Sequence, residues 1–242
     1  MTVVSFLSLG YGFYGIDWTY LVLIVPVLIL SLIAQASVKS TFTKYSKEAS
    51  RSGLTGQAAA RQILDQNGLF TVRIERTPGQ LTDHFDPRTN VLRLSDATHS
   101  SPSIAAIGVA AHEAGHAIQH EVGYIPNRIR SMLVPVANIG SRFGPYMAIF
   151  GLILGMTTLA NIGIFLFGFA VLFYVVTLPV EFNASNRAIA VLQDQGILTT
   201  EELSGAKKVL RAAAMTYVAS ALMAFANMAR LILLSRNNRN RR

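Results

Sequence analysis

His112, Glu113 and His116 stand in the order H-E-x-x-H, within Ala111-His112-Glu113-Ala114-Gly115-His116. On a helix, residues four apart share a face, so both imidazoles can aim at one metal ion. Glu113 is turned off that line, enough to reach a water on the ion instead of the ion itself. Two imidazole ligands and a carboxylate base form the zincin arrangement for hydrolysing a peptide bond. The flanks suit a helix. Ser101-Pro102 offers an N-cap followed by proline at the first helical position. The helical pattern covers Ile104 to Glu121, and Gly123 provides a stop. A purely structural histidine pair would leave Glu113 without a packing reason among Ala, Ile, Val and Gly neighbours.

A catalytic zinc needs a third protein ligand and an open position for water. The chain of 242 residues has no cysteine. Disulfides and thiolate-bound zinc are excluded, and the donors must be His and carboxylate, a set that favours Zn2+ among divalent ions. The residues that must position this site sit in an unusual background. Half the chain is apolar (51%), only 14% is charged, and the mean hydropathy is +0.40. Such values suit a membrane protein with a modest polar domain. The net charge of +8 then reads as attraction to anionic lipid headgroups. No nucleic-acid-binding motif and no internal repeat occurs, so a nucleic-acid partner is not expected.

Residues 1–17 contain no Lys or Arg, unlike a cleavable signal peptide, and read as a short extracytoplasmic N-terminus. Residues 18–38 are long and apolar enough to cross a bilayer, with Trp18 and Tyr20 as interfacial anchors. Lys39, Lys44, Lys47 and Arg51 follow and mark the cytoplasmic side. Residues 39–142 read as a cytoplasmic zincin-like domain. In it, Gln57–Leu64 is a helix ended by Asn67-Gly68, Leu69–Ile74 and Val91–Ser95 are strands, and Leu81–Arg88 is a polar loop. The strand before the metal helix either binds an extended peptide by edge pairing or belongs to a structural hairpin. Arg128, Arg130 and Arg142 interrupt an apolar stretch, as in an interfacial helix.

From Phe143 to Val180 there is no charged residue. That length serves two crossings, a transmembrane hairpin over 143–180 with Thr157–Asn161 as its turn. A hairpin returns the chain to the face it left. Glu181 is the first charged residue after it and opens a new helical pattern, which makes it the expected third metal ligand beside His112 and His116. Residues 181–211 are therefore read as cytoplasmic helices carrying that ligand. Other acids fit less well. Glu121 is off the ligand face, Asp194 lies near a helix end, and Glu201 and Glu202 suit a first helical turn. Asp83 and Asp86 would need their loop to fold over the site. His120 would close the position that water needs, and His99 falls before the helix. Residues 212–242 are either a fourth crossing or a packed helix, followed by a basic tail. A fourth crossing would put Arg236, Arg239, Arg241 and Arg242 outside, against the charge rule.

The fold class expected is thus a mainly α integral membrane protein. It carries a zincin-like metal helix and a small β-hairpin or sheet in a cytoplasmic domain. The expected function is a zinc-dependent metalloendopeptidase of a cell membrane, multi-pass, with its active site on the cytoplasmic side. Its partners would be the lipid bilayer and a peptide or membrane-protein substrate: a misfolded membrane protein, a signal-peptide remnant or a lipidated peptide. Glu113 would take a proton from the attacking water and pass it to the leaving amine. His84, Asn183, Arg187 and Tyr217 are candidates for assisting the oxyanion. The rivals are a catalytically inert, zinc-stabilised scaffold or adaptor, and a metal-free binder of membrane surfaces.

These residues resemble the YugP-like membrane zinc metallopeptidases of bacteria. The likeness covers Ser52–Gly56, Ala60–Leu64, Asn67-Gly68, Leu81–Arg88, Val91–Ser95 and Ser103–Gln119. It implies a peptidase with an initial membrane helix and further helices after the metal motif. More distantly, the chain is similar to the gluzincin membrane proteases that include HtpX and the CAAX-processing enzymes. There a Glu-x-x-x-Asp helix supplies the third ligand and a carboxylate that orients a ligand imidazole. Glu181 matches that ligand and Ala184 the small residue before the Asp. Ser185 replaces the Asp: it can accept a hydrogen bond from an imidazole but brings no charge. Asn186 is a second candidate for that role.

Overall fold

The computed structural model describes residues 18–240, so the N-terminal segment 1–17 lies outside the described residues. The described chain is mostly helical with one small sheet, and it divides into two compact units. One contains Ala34–Arg128 and Leu178–Thr216. The other contains the chain up to Ile33, Ile129–Thr177 and the chain from Tyr217 onward. Three helices are long and apolar enough to cross a membrane, by length and composition: Tyr20–Tyr45, here α1, then Thr157–Asp194 and Thr200–Asn238.

The first of these units holds the H-E-x-x-H residues. Its helix α2, Gly56–Gln66, is capped by Thr55, whose hydroxyl accepts from the Ala58 amide at 3.2 Å. Ala59, Ala60, Ile63 and Leu64 form its buried face. The Arg61 guanidinium donates to the carbonyls of Val72 and Leu69 at 2.6 and 2.9 Å. It thereby fixes the chain leading into the sheet. The strands are β1, Arg73–Thr77, β2, His84–Asp86, and β3, Val91–Ser95, in the order β1-β3-β2. β1 runs parallel to β3 and β2 antiparallel to it.

Two readings of the sequence change here. The first strand lies at 73–77 instead of 69–74, and a third strand occupies part of the expected polar loop. β3 is also central, with both edges paired. An extended peptide therefore has no free edge on β3, and the structural reading of that strand holds; among the described residues the open edges are on β1 and β2.

After the short helix α3, Asp96–His99, comes α4, Ile104–Glu121, which carries the H-E-x-x-H residues. Its N-cap is Ser103, which accepts from the Ala106 amide at 3.2 Å. Ser101, the expected cap, instead donates to the Ser103 hydroxyl at 3.0 Å. Ile107, Ala110 and Ala114 of α4 are buried with Leu64, Leu92 and Leu192 in one core.

The remaining helices are α5, Ile125–Ile153, α6, Thr157–Asp194, and α7, Thr200–Asn240. The turn between α5 and α6 is at Leu154–Met156, where Gly155 has φ +71°. Thr157–Asn161, the expected turn, forms the start of α6. The uncharged stretch is therefore divided unequally, and α5 is not among the helices suited to crossing. α6 also continues through Pro179 into the helical pattern that was expected to open anew at Glu181. Proline costs the helix one hydrogen bond, but Val180, Ala184 and Ala188 on either side of the next turns are fully buried, and that packing keeps the helix whole.

In the apolar unit, α5 and α6 touch through small residues. A Cβ on Gly140 would run into the Leu166 carbonyl, one on Gly151 into the Ala160 amide, and one on Gly144 would meet the Gly163 carbonyl at 2.8 Å. Close approach of this kind is how helices associate where no hydrophobic drive separates them from lipid. Ala224 and Leu231 of α7 complete that unit's core with Ala148, Phe167, Ala170 and Val171.

Candidate metal centre

One helical turn separates His112 from His116 on α4, and their rings stand nearly perpendicular, 85° apart with centroids at 4.7 Å. Glu181 reaches them from α6. The close crossing that permits this depends on Gly115, between the two histidines. A Cβ there would lie 2.8 Å from the Ala184 carbonyl, too close for any real side chain. Gly115 and Ala184 thus let the two backbones nearly touch, and Glu181, one turn before Ala184, points into the gap.

Glu181 is 2% exposed. Its Oε2 lies 3.4 Å from His112 Nε2 and 3.6 Å from His116 Nε2. These separations are long for direct hydrogen bonds. The first falls within, and the second just beyond, the ~3.3–3.5 Å between ligand atoms of a tetrahedral ion with bonds near 2.0–2.1 Å. The three ligand atoms all lie within 4.8 Å of one another. Two imidazoles and one carboxylate suit zinc, and the set leaves one position open.

The far ring nitrogens are held as well. His112 Nδ1 is 3.1 Å from Ser185 Oγ. His116 Nδ1 is 3.0 Å from Gln119 Oε1. Gln119 is completely buried, and its amide nitrogen donates to the Val180 carbonyl at 2.8 Å and to Asn183 Oδ1 at 3.0 Å. A carbonyl can only accept, so the amide orientation is fixed and Oε1 must face the imidazole. His116 Nδ1 therefore carries the proton, and Nε2 offers its lone pair toward Glu181. Arg187 Nε donates to the same Asn183 oxygen at 2.8 Å, which ends the chain on a cation.

Burial alone would push the His116 pKa down. The Glu181 and Glu113 carboxylates, with Gln119, outweigh it and raise the pKa above its ordinary 6.5. Without a metal, the site is thus an anionic pocket that draws a proton onto His116.

Glu113 is 9% exposed and lies next to the ligand face. The other acids weighed from sequence are occupied or exposed. Asp83 accepts from the Ser95 amide and hydroxyl at 2.7 and 2.9 Å. Asp86 accepts from the Arg88 amide and the Thr89 hydroxyl. Glu202 caps the start of α7, accepting from the Thr199 and Arg51 amides. Glu121, Asp194 and Glu201 are exposed.

His120 is exposed, with its ring 6.0 Å from Phe85. His99 ends α3 and contacts Ser100. His84 is exposed, with Nδ1 on the Thr82 carbonyl. Asn186 is exposed, while Asn183 and Arg187 belong to the chain behind His116. Tyr217 is part of the other unit. Sequence reasoning missed Gln119. Its only signal was the spacing of three from His116, which puts the two on one helical face.

The fold and this site define a helical protein with candidate membrane helices and a His-His-Glu zinc-type centre. The chain belongs to the family described as "Putative neutral zinc metallopeptidase", whose model matches residues 20–236. It is 45% identical over 221 residues to the "Putative membrane protease YugP" of Bacillus subtilis (strain 168), an alignment covering 91% of this chain and 98% of that protein. No solved structure matches it significantly.

Proposed function

We propose that the protein is a gluzincin-type metallopeptidase that hydrolyses peptide bonds at the cytoplasmic face of the membrane. The observation that carries this reading is the Glu181 carboxylate between two Nε2 atoms, at ligand-to-ligand distances for zinc, with Glu113 beside them on α4. His112, His116 and Glu181 would hold the ion. Zinc in such a site supplies Lewis acidity and brings the pKa of water toward ~7. Glu113 takes the proton from the water that attacks the scissile carbonyl carbon and gives it to the nitrogen of the leaving amine. Ser185 and Gln119 keep both imidazoles in the tautomer that presents Nε2. The unpaired outer edge of β2, whose Phe85 packs toward His120 on α4, is where an extended substrate backbone can add its hydrogen bonds. The family name and the YugP likeness support the hydrolase class. Lys39 and Lys44 near the C-terminal end of α1, with Lys47 and Arg51 just beyond it, support the cytoplasmic side.

The test uses detergent-purified full-length protein. Close to one zinc per chain is expected, with cleavage of an unfolded membrane-protein fragment that chelator stops and added zinc restores. A zinc content near one with no cleavage of any fragment would favour the inert scaffold. Negligible zinc, without loss in purification, would favour the metal-free membrane binder. Because the chain has no cysteine, a cysteine placed at Lys47 reports sidedness through membrane-impermeant labelling. Labelling in intact cells would contradict the cytoplasmic assignment.

A further inference from the structure

A groove of about 480 Å³ lies between α6 and α7 in the apolar unit, and the metal site has no part in it. Most of its lining is apolar: Ile164, Phe165, Phe169 and Leu172 from α6, Met228 and Ile232 from α7. One end differs. Thr157 and Asn161, from the first turns of α6, meet Ser235 and Arg236 from the last turns of α7. Among the described residues, no acidic side chain lines the groove. Thr157 begins α6, so the amides of that first turn lack intrahelical acceptors and carry the positive end of the helix dipole.

The polar end therefore offers a guanidinium, two hydroxyls, a side-chain amide and helix N–H donors together, the chemistry that recognises a phosphate. The apolar part gives the ligand its second property. Thr157 to Leu172 spans about 22 Å of helix at 1.5 Å per residue, longer than the ~15 Å half-thickness of a bilayer's hydrocarbon core. Free phosphate would need no such wall, and a purely apolar ligand would need no arginine. We propose that this groove binds one anionic phospholipid, with the phosphate at Thr157, Asn161, Ser235 and Arg236 and an acyl chain along Phe165, Phe169 and Met228.

The experiment is lipid exchange followed by native mass spectrometry on the full-length protein, in nanodiscs of phosphatidylcholine with a minority of phosphatidylglycerol. Wild type is expected to retain phosphatidylglycerol preferentially, and Arg236→Gln to lower that preference about fivefold. Gly168→Leu tests the acyl part. Its added Cβ would contact only the Met228 methyl, at 3.9 Å, so the backbone need not move, yet the side chain fills the groove. It should reduce retention of both lipids. Equal retention of the two lipids by wild type would overturn the proposal, as would an unchanged preference in Arg236→Gln. Displacement of the bound lipid by glycerol phosphate alone would make this a headgroup-only anion site, and displacement by an apolar helical peptide a peptide site. Either result would replace the phospholipid assignment.

Discussion

Two of the helix crossings that depend on glycine serve different ends. In the apolar unit, Gly140, Gly144 and Gly151 let α5 lie against α6, and what surrounds the contact is Phe, Leu and Ala. In the polar unit, Gly115 lets α4 lie against α6, and what surrounds that contact is His, Glu, Gln, Ser and Asn. The first crossing gains dispersion contacts and nothing directional. The second turns closeness into chemistry, because Ala184 can touch Gly115 only if Glu181 faces the histidine pair. The same device, removal of a Cβ, supports stability in one place and ligand geometry in the other.

The largest effect expected from this contrast is at Glu113. Glu113→Gln should lower turnover by about 10²–10⁴-fold, the usual worth of a positioned base, with zinc stoichiometry unchanged. A comparable loss of turnover per folded molecule in Gly140→Ala would break the distinction between the two crossings.

Next is the buried amide behind His116. Gln119→Leu removes the acceptor for Nδ1–H and should weaken zinc binding about 10–100-fold, measured by chelator competition. Gln119→Glu keeps an acceptor and should recover part of the loss. Equal affinities in both variants would show that Gln119 only packs.

The glycines themselves come third. Gly140→Ala should lower thermal stability by about 1–3 kcal/mol, the range for overpacking, and leave the zinc affinity of the folded fraction alone. Gly115→Ala should cost zinc affinity as well, about tenfold by the same overpacking range, since the shift falls between two ligands.

The smallest effect is a change of sign with pH. In metal-free protein, the raised His116 pKa contributes stability that is complete below 6.5 and lost as pH rises through the raised value. Zinc requires the neutral ring, so occupancy should fall as pH drops through that same value. Metal-free melting temperatures that do not decline over this window would remove His116 as the proton's site.

The site was more legible in the sequence than the fold around it. His112 and His116 declare themselves by spacing, and Glu181 by being the first charge after a long uncharged stretch. α2 was legible from its Asn67-Gly68 end, and α4 from its apolar run. β1 was misplaced because Arg73–Thr77 is largely polar, half-buried at best and paired on one side only, so no alternation marks it. β2 is three residues long and has no pattern to show. The residues from Glu181 onward suggested a separate helix, but α6 runs through Pro179 into them because tertiary packing overrode the local signal. Gln119 was invisible because a buried glutamine differs from a surface one only by its partners.

The most direct test of the account is the zinc affinity of Glu181→Ala beside wild type, measured by chelator competition on purified, folded protein. The account predicts a loss beyond the ~10–100-fold typical of a supporting residue, because a ligand itself is removed. Wild-type affinity in Glu181→Ala would contradict it.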